Sequence, residues 1–108
     1  MIDYVQRQLD AYNQRDITAF APCFTTDVEA YELQSNTLIF KGRKALKERY
    51  SSMFDVSPEL KCTLLSRIVE GDITIDHESV SGMRDNEAVR AVAIYHVTAN
   101  GIDKVWFA

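Results

Sequence analysis

The chain has 108 residues, 46% of them hydrophobic and 26% charged, which suits one packed domain. Its net charge is −4 and its Lys and Arg residues are scattered, so the clustered basic face that nucleic acid or an anionic membrane requires is missing. No run approaches the roughly 20 apolar residues of a spanning helix, and the opening Met1-Ile2-Asp3-Tyr4-Val5-Gln6 lacks the pattern of a signal peptide, so the expectation is a cytoplasmic protein.

Ile2, Val5, Leu9 and Tyr12 fall at three- and four-residue steps, one apolar stripe on a helix from Ile2 to Asn13. Asn13-Gln14-Arg15 breaks that pattern. Asp16 is a good N-cap for a second helix whose apolar face is Ile17, Phe20, Ala21 and Phe24, kinked or ended by Pro22. Thr25-Thr26-Asp27 reads as a turn, Val28 to Leu33 as a strand, Gln34-Ser35-Asn36 as a turn, and Thr37 to Phe40 as a short strand. A third helix runs from about Arg43 to Phe54 behind Gly42, with Ala45, Leu46, Tyr50 and Met53 towards the core and Pro58 closing the helical region. The rest is β: Leu60 to Val69, a hairpin at Glu70-Gly71-Asp72, Ile73 to Val80, a looser Ser81 to Asn86, Glu87 to Thr98, a hairpin at Asn100-Gly101, and Ile102 to Ala108. The fold class is therefore α+β, a curved antiparallel sheet wrapped by three helices from the N-terminal half, in the order helix, helix, two strands, helix, four meandering strands.

Ala91 to Tyr95 and Val105 to Ala108 are apolar on both faces of their strands, whereas a sheet with one wet face alternates with polar residues. One face covers the core and the other is expected to meet a second subunit, giving a homodimer through the sheet. Trp106 reads as packing on that face, the alternative being a platform for a ligand.

Several residues carry possible chemistry. Asp76-His77-Glu78 is the most polar stretch of an otherwise buried-looking strand. Apolar periodicity turns His77 inward, which would make it a general base near neutral pH; the opposite register turns Asp76 and Glu78 inward, leaving His77 structural or at the dimer face. Glu32 is either a carboxylate with raised basicity in an apolar pocket or an exposed acid at a strand end. Tyr12 and Tyr50 offer hydroxyls to a pocket or are plain core. His96 reads as solvated. Cys23 and Cys62 read as buried thiols. With only two cysteines and two histidines, far apart, no metal spacing arises, and no phosphate loop, nucleotide-binding glycine pattern or nucleophile elbow occurs, so no cofactor is expected.

The opening Val5-Gln6-Arg7-Gln8-Leu9-Asp10-Ala11-Tyr12-Asn13, with Asp16-Ile17 and Ala19-Phe20, resembles the start of nuclear transport factor 2-like proteins. Lys41-Gly42-Arg43-Lys44-Ala45-Leu46 resembles their glycine-led third helix. Ile75-Asp76-His77-Glu78, Ala93-Ile94-Tyr95, Asn100-Gly101-Ile102 and Val105-Trp106-Phe107 are similar to the SnoaL-like and steroid Δ-isomerase-like members. The resemblance covers nearly the whole chain. It implies a cone-shaped half-barrel in which a strongly curved sheet and the helices enclose an apolar pocket, usually in a dimer, and it spans isomerases, cyclases, dehydratases, hydrolases and inert binding modules. Carried over position by position, the catalytic aspartate of ketosteroid isomerases falls on Glu32, the oxyanion-hole tyrosine on Gln8, the oxyanion-hole acid on or beside Ala93, and the supporting tyrosine on Tyr50. Two enolate-stabilising groups, which typically contribute several kcal/mol, are thus replaced, and efficient ketosteroid isomerisation is not expected.

The resulting expectation is a small apolar ligand held in the pocket. Glu32, His77 and Tyr50 are the catalytic candidates, and Gln8, Tyr12, Phe24, Asp76 and Ala93 the ligand contacts. The reaction would be proton transfer on a carbonyl compound; the competing reading is a non-catalytic binding or dimerisation module. A sealed cavity under about 100 Å³ would favour the module, and an open cavity with two or more convergent polar groups the enzyme.

Overall fold

The computed structural model describes residues 2–83 and 87–108. Helix α1 spans Tyr4–Asn13, α2 spans Ile17–Phe20 with a 3-10 turn at Ala21–Cys23, and α3 spans Arg43–Val56. The strands are β1 Phe24–Glu32, β2 Thr37–Lys41, β3 Lys61–Glu70, β4 Ile73–Ser81, β5 Val89–Thr98 and β6 Gly101–Phe107. They form one sheet in the order β2-β1-β6-β5-β4-β3. Every neighbouring pair is antiparallel except β1 with β6, which are parallel, so the expected all-antiparallel sheet carries one parallel seam. No helix among the described residues is long and apolar enough to cross a membrane.

Local chemistry sets the helix ends. The Asp3 carboxylate accepts from the Gln6 amide at 3.0 Å and starts α1, and the Asp16 carboxylate accepts from the Ala19 amide at 3.2 Å and starts α2. Pro22 ends α2 as expected, because it cannot donate the next helical hydrogen bond. The turn expected at Thr25-Thr26-Asp27 is instead the first part of β1. The signal had a cause, since the β1–β6 register shifts between Phe24 and Glu29. The last hairpin closes on Ala99-Asn100, with Gly101 the first residue of β6. Gly101 is required for another reason: at φ +131°, any Cβ would lie 2.8 Å from the Cys23 carbonyl oxygen. The connection expected at Ser81 to Asn86 lies outside the described residues at 84–86.

Val28, Ala30, Ala93, Ile102 and Val105 on the inner sheet face pack against Val5, Phe20, Leu46 and Phe54 from the helices and Leu60 from the segment after α3, all essentially buried. Each large aliphatic or aromatic side chain so buried contributes about 1.5–3 kcal/mol. Two polar ties lock α1 to the start of β3. Asn13 exchanges two hydrogen bonds with the Cys62 backbone, at 2.9 and 2.7 Å, and Arg15 donates to the Leu60 carbonyl at 2.8 Å. They set where the inward side chains of β3 meet the helices.

Candidate functional site

Between sheet and helices lies an open cavity of about 390 Å³, within the usual range for small-molecule pockets. Its wall is mostly apolar, with seven aromatic rings from α1, α2, α3 and four of the strands. Tyr12, Phe20, Tyr50 and Phe54 pack edge-on or tilted, with ring centroids 4.8–6.3 Å apart. The polar side chains on the wall are Gln8, Tyr12, Tyr50, Tyr95, Cys62 and Glu78.

Strand β4 decides which polar residues face inward. Thr74, Asp76 and Glu78 are buried, and His77 shares the outer face with Ile73 and Ile75. His77 pairs with Ser66 and Val92 and does not line the cavity, so the base expected there is corrected. Asp76 faces inward but is equally absent from the wall. It is fully buried beneath a two-pronged Arg67 guanidinium, with Nε to Oδ1 at 2.6 Å and Nη2 to Oδ2 at 2.9 Å. Arg67 also donates from Nη1 to Gln6 Oε1 at 2.8 Å. Breaking a buried pair of this kind at one partner typically costs about 3–5 kcal/mol. Asp76 is therefore a structural charge below the cavity, and its expected ligand contact is corrected.

Glu32 also leaves the site. It is the last residue of β1, and Oε1 accepts from both the amide and the hydroxyl of Ser35 at 3.0 Å. Those bonds hold the carboxyl below its usual range, the reverse of the raised basicity expected. Glu32, Phe107, Ala93, Asp76 and Arg67 pair in one row across the inner face, yet only Phe107 of that row reaches the cavity. Ala93 is fully buried without lining it, which corrects that contact as well. Gln8, Tyr12, Phe24 and Tyr50 do line the cavity together.

The carboxylate that faces the cavity is Glu78. It is 8% exposed. Burial raises its carboxyl above the usual range and the Asp76 charge pushes the same way; a hydrogen bond from the Cys62 thiol and the Arg67 charge pull it back. Burial raises Tyr12, Tyr95 and the Cys62 thiol well above their ordinary values, with the Glu78 charge adding to each, and pushes Tyr50 up to about 12. These groups keep their protons at neutral pH and act as hydrogen-bond donors rather than nucleophiles. Glu78 and Tyr95 line the cavity beyond the residues expected from the sequence. Alternation puts Glu78 beside Asp76 in one of the two registers, whereas Tyr95 lies in a strand that is apolar on both faces and so carries no polar signal. Among the described residues no three His, Cys, Asp or Glu side chains gather as a metal would need.

Solved structures place this architecture. A cystatin-fold protein from Novosphingobium aromaticivorans superposes with TM-score 0.88 at 17% identity, covering 98% of this chain and 95% of its own. A candidate polyketide cyclase from Sinorhizobium meliloti gives 0.83 at 18% identity, covering 100% and 95%. A protein of ketosteroid isomerase-like fold from Catenulispora acidiphila, in complex with trimethylamine, gives 0.81 at 13% identity, covering 98% and 84%. No curated protein sequence matches the chain. The sequence profile of the SnoaL-like domain matches residues 5–105, and the chain belongs to that family, within the nuclear transport factor 2-like superfamily.

Proposed function

We propose that the cavity receives a small, largely apolar carbonyl compound and that Glu78 moves a proton on it, the chemistry of an isomerase, cyclase or dehydratase. The observation that carries this reading is a nearly buried carboxylate with raised basicity, facing an open cavity whose other polar groups are protonated donors. The cavity's size and convergent polar groups fit the enzyme rather than a filled core. The candidate cyclase and the trimethylamine complex among similar folds are in keeping with a small organic ligand.

A simple probe is 3-cyclohexen-1-one, followed by NMR in heavy water for deuterium uptake at the carbons beside the carbonyl and for migration of its double bond. Exchange above the buffer rate, reduced at least a hundredfold in Glu78→Gln, is the expected result. Saturable binding without accelerated exchange would sink the catalytic reading in favour of a binding module. That second reading is motivated by Gln8 and Ala93, which stand where ketosteroid isomerases carry their enolate-stabilising groups.

The outer sheet face supports a homodimer. Leu38, Tyr31, Trp106, Ile94, Ile75 and Ile68 pair successively across all six strands, one continuous apolar row on the face opposite the cavity. The next row reads Lys41, Glu29, Lys104, His96, Ile73 and Glu70 and carries both signs of charge. A row of mixed sign can complement itself under twofold symmetry, which favours a second copy of this chain as the occupant.

A further inference from the structure

Three tyrosine hydroxyls share the cavity with Glu78, and they differ in what holds them. Tyr12 donates to the Met53 thioether at 3.8 Å, a weak acceptor. No hydrogen bond holds the Tyr50 hydroxyl among the described residues. The Tyr95 oxygen accepts from Gln8 Nε2 at 3.3 Å, and the same Gln8 nitrogen is anchored to the Val5 carbonyl at 3.0 Å. Gln8 and Tyr95 are each 5% exposed. Because the phenol oxygen receives a hydrogen bond, its own O–H is polarised, and no acceptor for that proton occurs among the described residues. Tyr95 pairs with Thr74 on β4, four residues from Glu78 on the same face. The two backbone positions therefore lie about 13 Å apart along the strand, with a cavity wall common to both side chains.

Resting on the proton-transfer reading above, we propose that Tyr95 is the hydrogen-bond donor to the ligand's carbonyl oxygen and that Gln8 is its positioning residue. In the step this assigns, Glu78 takes a proton from a carbon next to the carbonyl. The C–H electron pair forms a carbon–carbon double bond, and the C=O π pair moves onto oxygen, where the Tyr95 O–H stabilises the negative charge. Glu78 then returns the proton to the same carbon or, in a conjugated system, to a more distant one, and the charge on oxygen is released. The α1 position where ketosteroid isomerases carry a phenol thus holds an amide that presents a phenol from β5. Donor and base face the ligand from one sheet.

The test uses 4-nitrophenol, whose anion carries its charge on an oxygen attached to an sp² carbon, as an enolate does, with 4-nitrotoluene as the uncharged match. The background is Glu78→Gln, which stands for the base after it has taken its proton. Affinity for both ligands and the apparent pKa of the bound nitrophenol, read from its absorbance, are measured in that protein and with Tyr95→Phe, Gln8→Met, Tyr12→Phe or Tyr50→Phe added; thermal melts check folding. The expected result is at least a tenfold loss of nitrophenolate affinity and a raised bound pKa for Tyr95→Phe. Gln8→Met should move both the same way by less, and Tyr12→Phe and Tyr50→Phe should change affinity by less than threefold. Nitrotoluene affinity should hold throughout. If Gln8→Met weakens both ligands equally, its role is merely structural and the positioning assignment falls. Equal or larger losses in Tyr12→Phe or Tyr50→Phe overturn the Tyr95 assignment and leave the cavity reading intact, as does nitrotoluene binding without nitrophenolate binding. Failure of both ligands to bind overturns both readings.

Discussion

Glu78 sits where folding and function pull in opposite directions. Its charged form is disfavoured by burial, and the thiol of Cys62 is a weak donor to set against that cost. Below the carboxyl's unfolded value it is protonated in both states and costs the fold nothing. As pH rises through the raised folded value, the native chain must carry a charge that the unfolded chain carries in water. Stability attributable to Glu78 is therefore full in acid and lost towards neutral and alkaline pH. Glu78→Gln should then raise the melting temperature more at pH 8 than at pH 4, measured by thermal denaturation at both. An equal or opposite shift would mean that the carboxyl titrates as it does in water. A site that gains stability when its base is neutralised is the trade-off expected of a functional group.

Strand β4 and its neighbours show how an element can both build the site and brace it. Its inward residues supply Thr74, Asp76 and Glu78, while its start is held by His96 on β5. The His96 ring meets Asp103 through Nδ1 at 2.5 Å and Asp72 through Nε2 at 2.7 Å, so the solvated histidine expected from the sequence clamps the β3–β4 turn to β5 and β6. The Asp103 hydrogen bond, and then that of Asp72, raise its value above the ordinary histidine range; Lys104, its partner in β6, is the cation nearest in register. The imidazolium is thus favoured in the folded state. Its contribution is full below the unfolded value of about 6.5 and is lost as pH rises through the higher folded one. His96 is 31% exposed and Asp72 is 63% exposed, so solvent screening keeps the clamp below about 1 kcal/mol. His96→Gln should lower stability in urea titrations at pH 6 by up to that amount and by less at pH 9. No pH dependence of the difference would remove the clamp.

The whole molecule offers two apolar faces of one sheet, and only the inner one is covered by helices. The outer row from Leu38 to Ile68 crosses six strands, about 24 Å at the usual strand spacing, with Leu38 48% and Ile68 62% exposed at its ends. A face this wide can bury the roughly 1,000 Å² that a specific interface needs. Sedimentation should give a dimer for the wild-type chain, and Trp106→Glu, at the middle of the row, should give a folded monomer. A wild-type monomer at tens of micromolar would refute the homodimer.

Periodicity, caps and turn residues are properties of short segments, so the sequence by itself determined α1, α3, most strand positions, the break at Pro22 and the α+β class. The composition of the two faces likewise made the outer apolar surface readable. What only the tertiary structure decided was which side of a strand looks into the cavity. A strand repeats every two residues, and Ile75-Asp76-His77-Glu78 fits either register until β3 and β5 pair with it. The register shift between Leu64 and Ser66 puts Arg67 opposite Asp76, so Asp76 is taken up in an ion pair and Glu78 is left as the carboxylate on the cavity wall. Local sequence ends the strand close to Glu32, but whether its carboxylate meets a pocket or the turn is decided only in the fold, where the Ser35 amide and hydroxyl claim it. The Gln8–Tyr95 bond joins residues 87 positions apart, a contact that only packing α1 onto β5 can create.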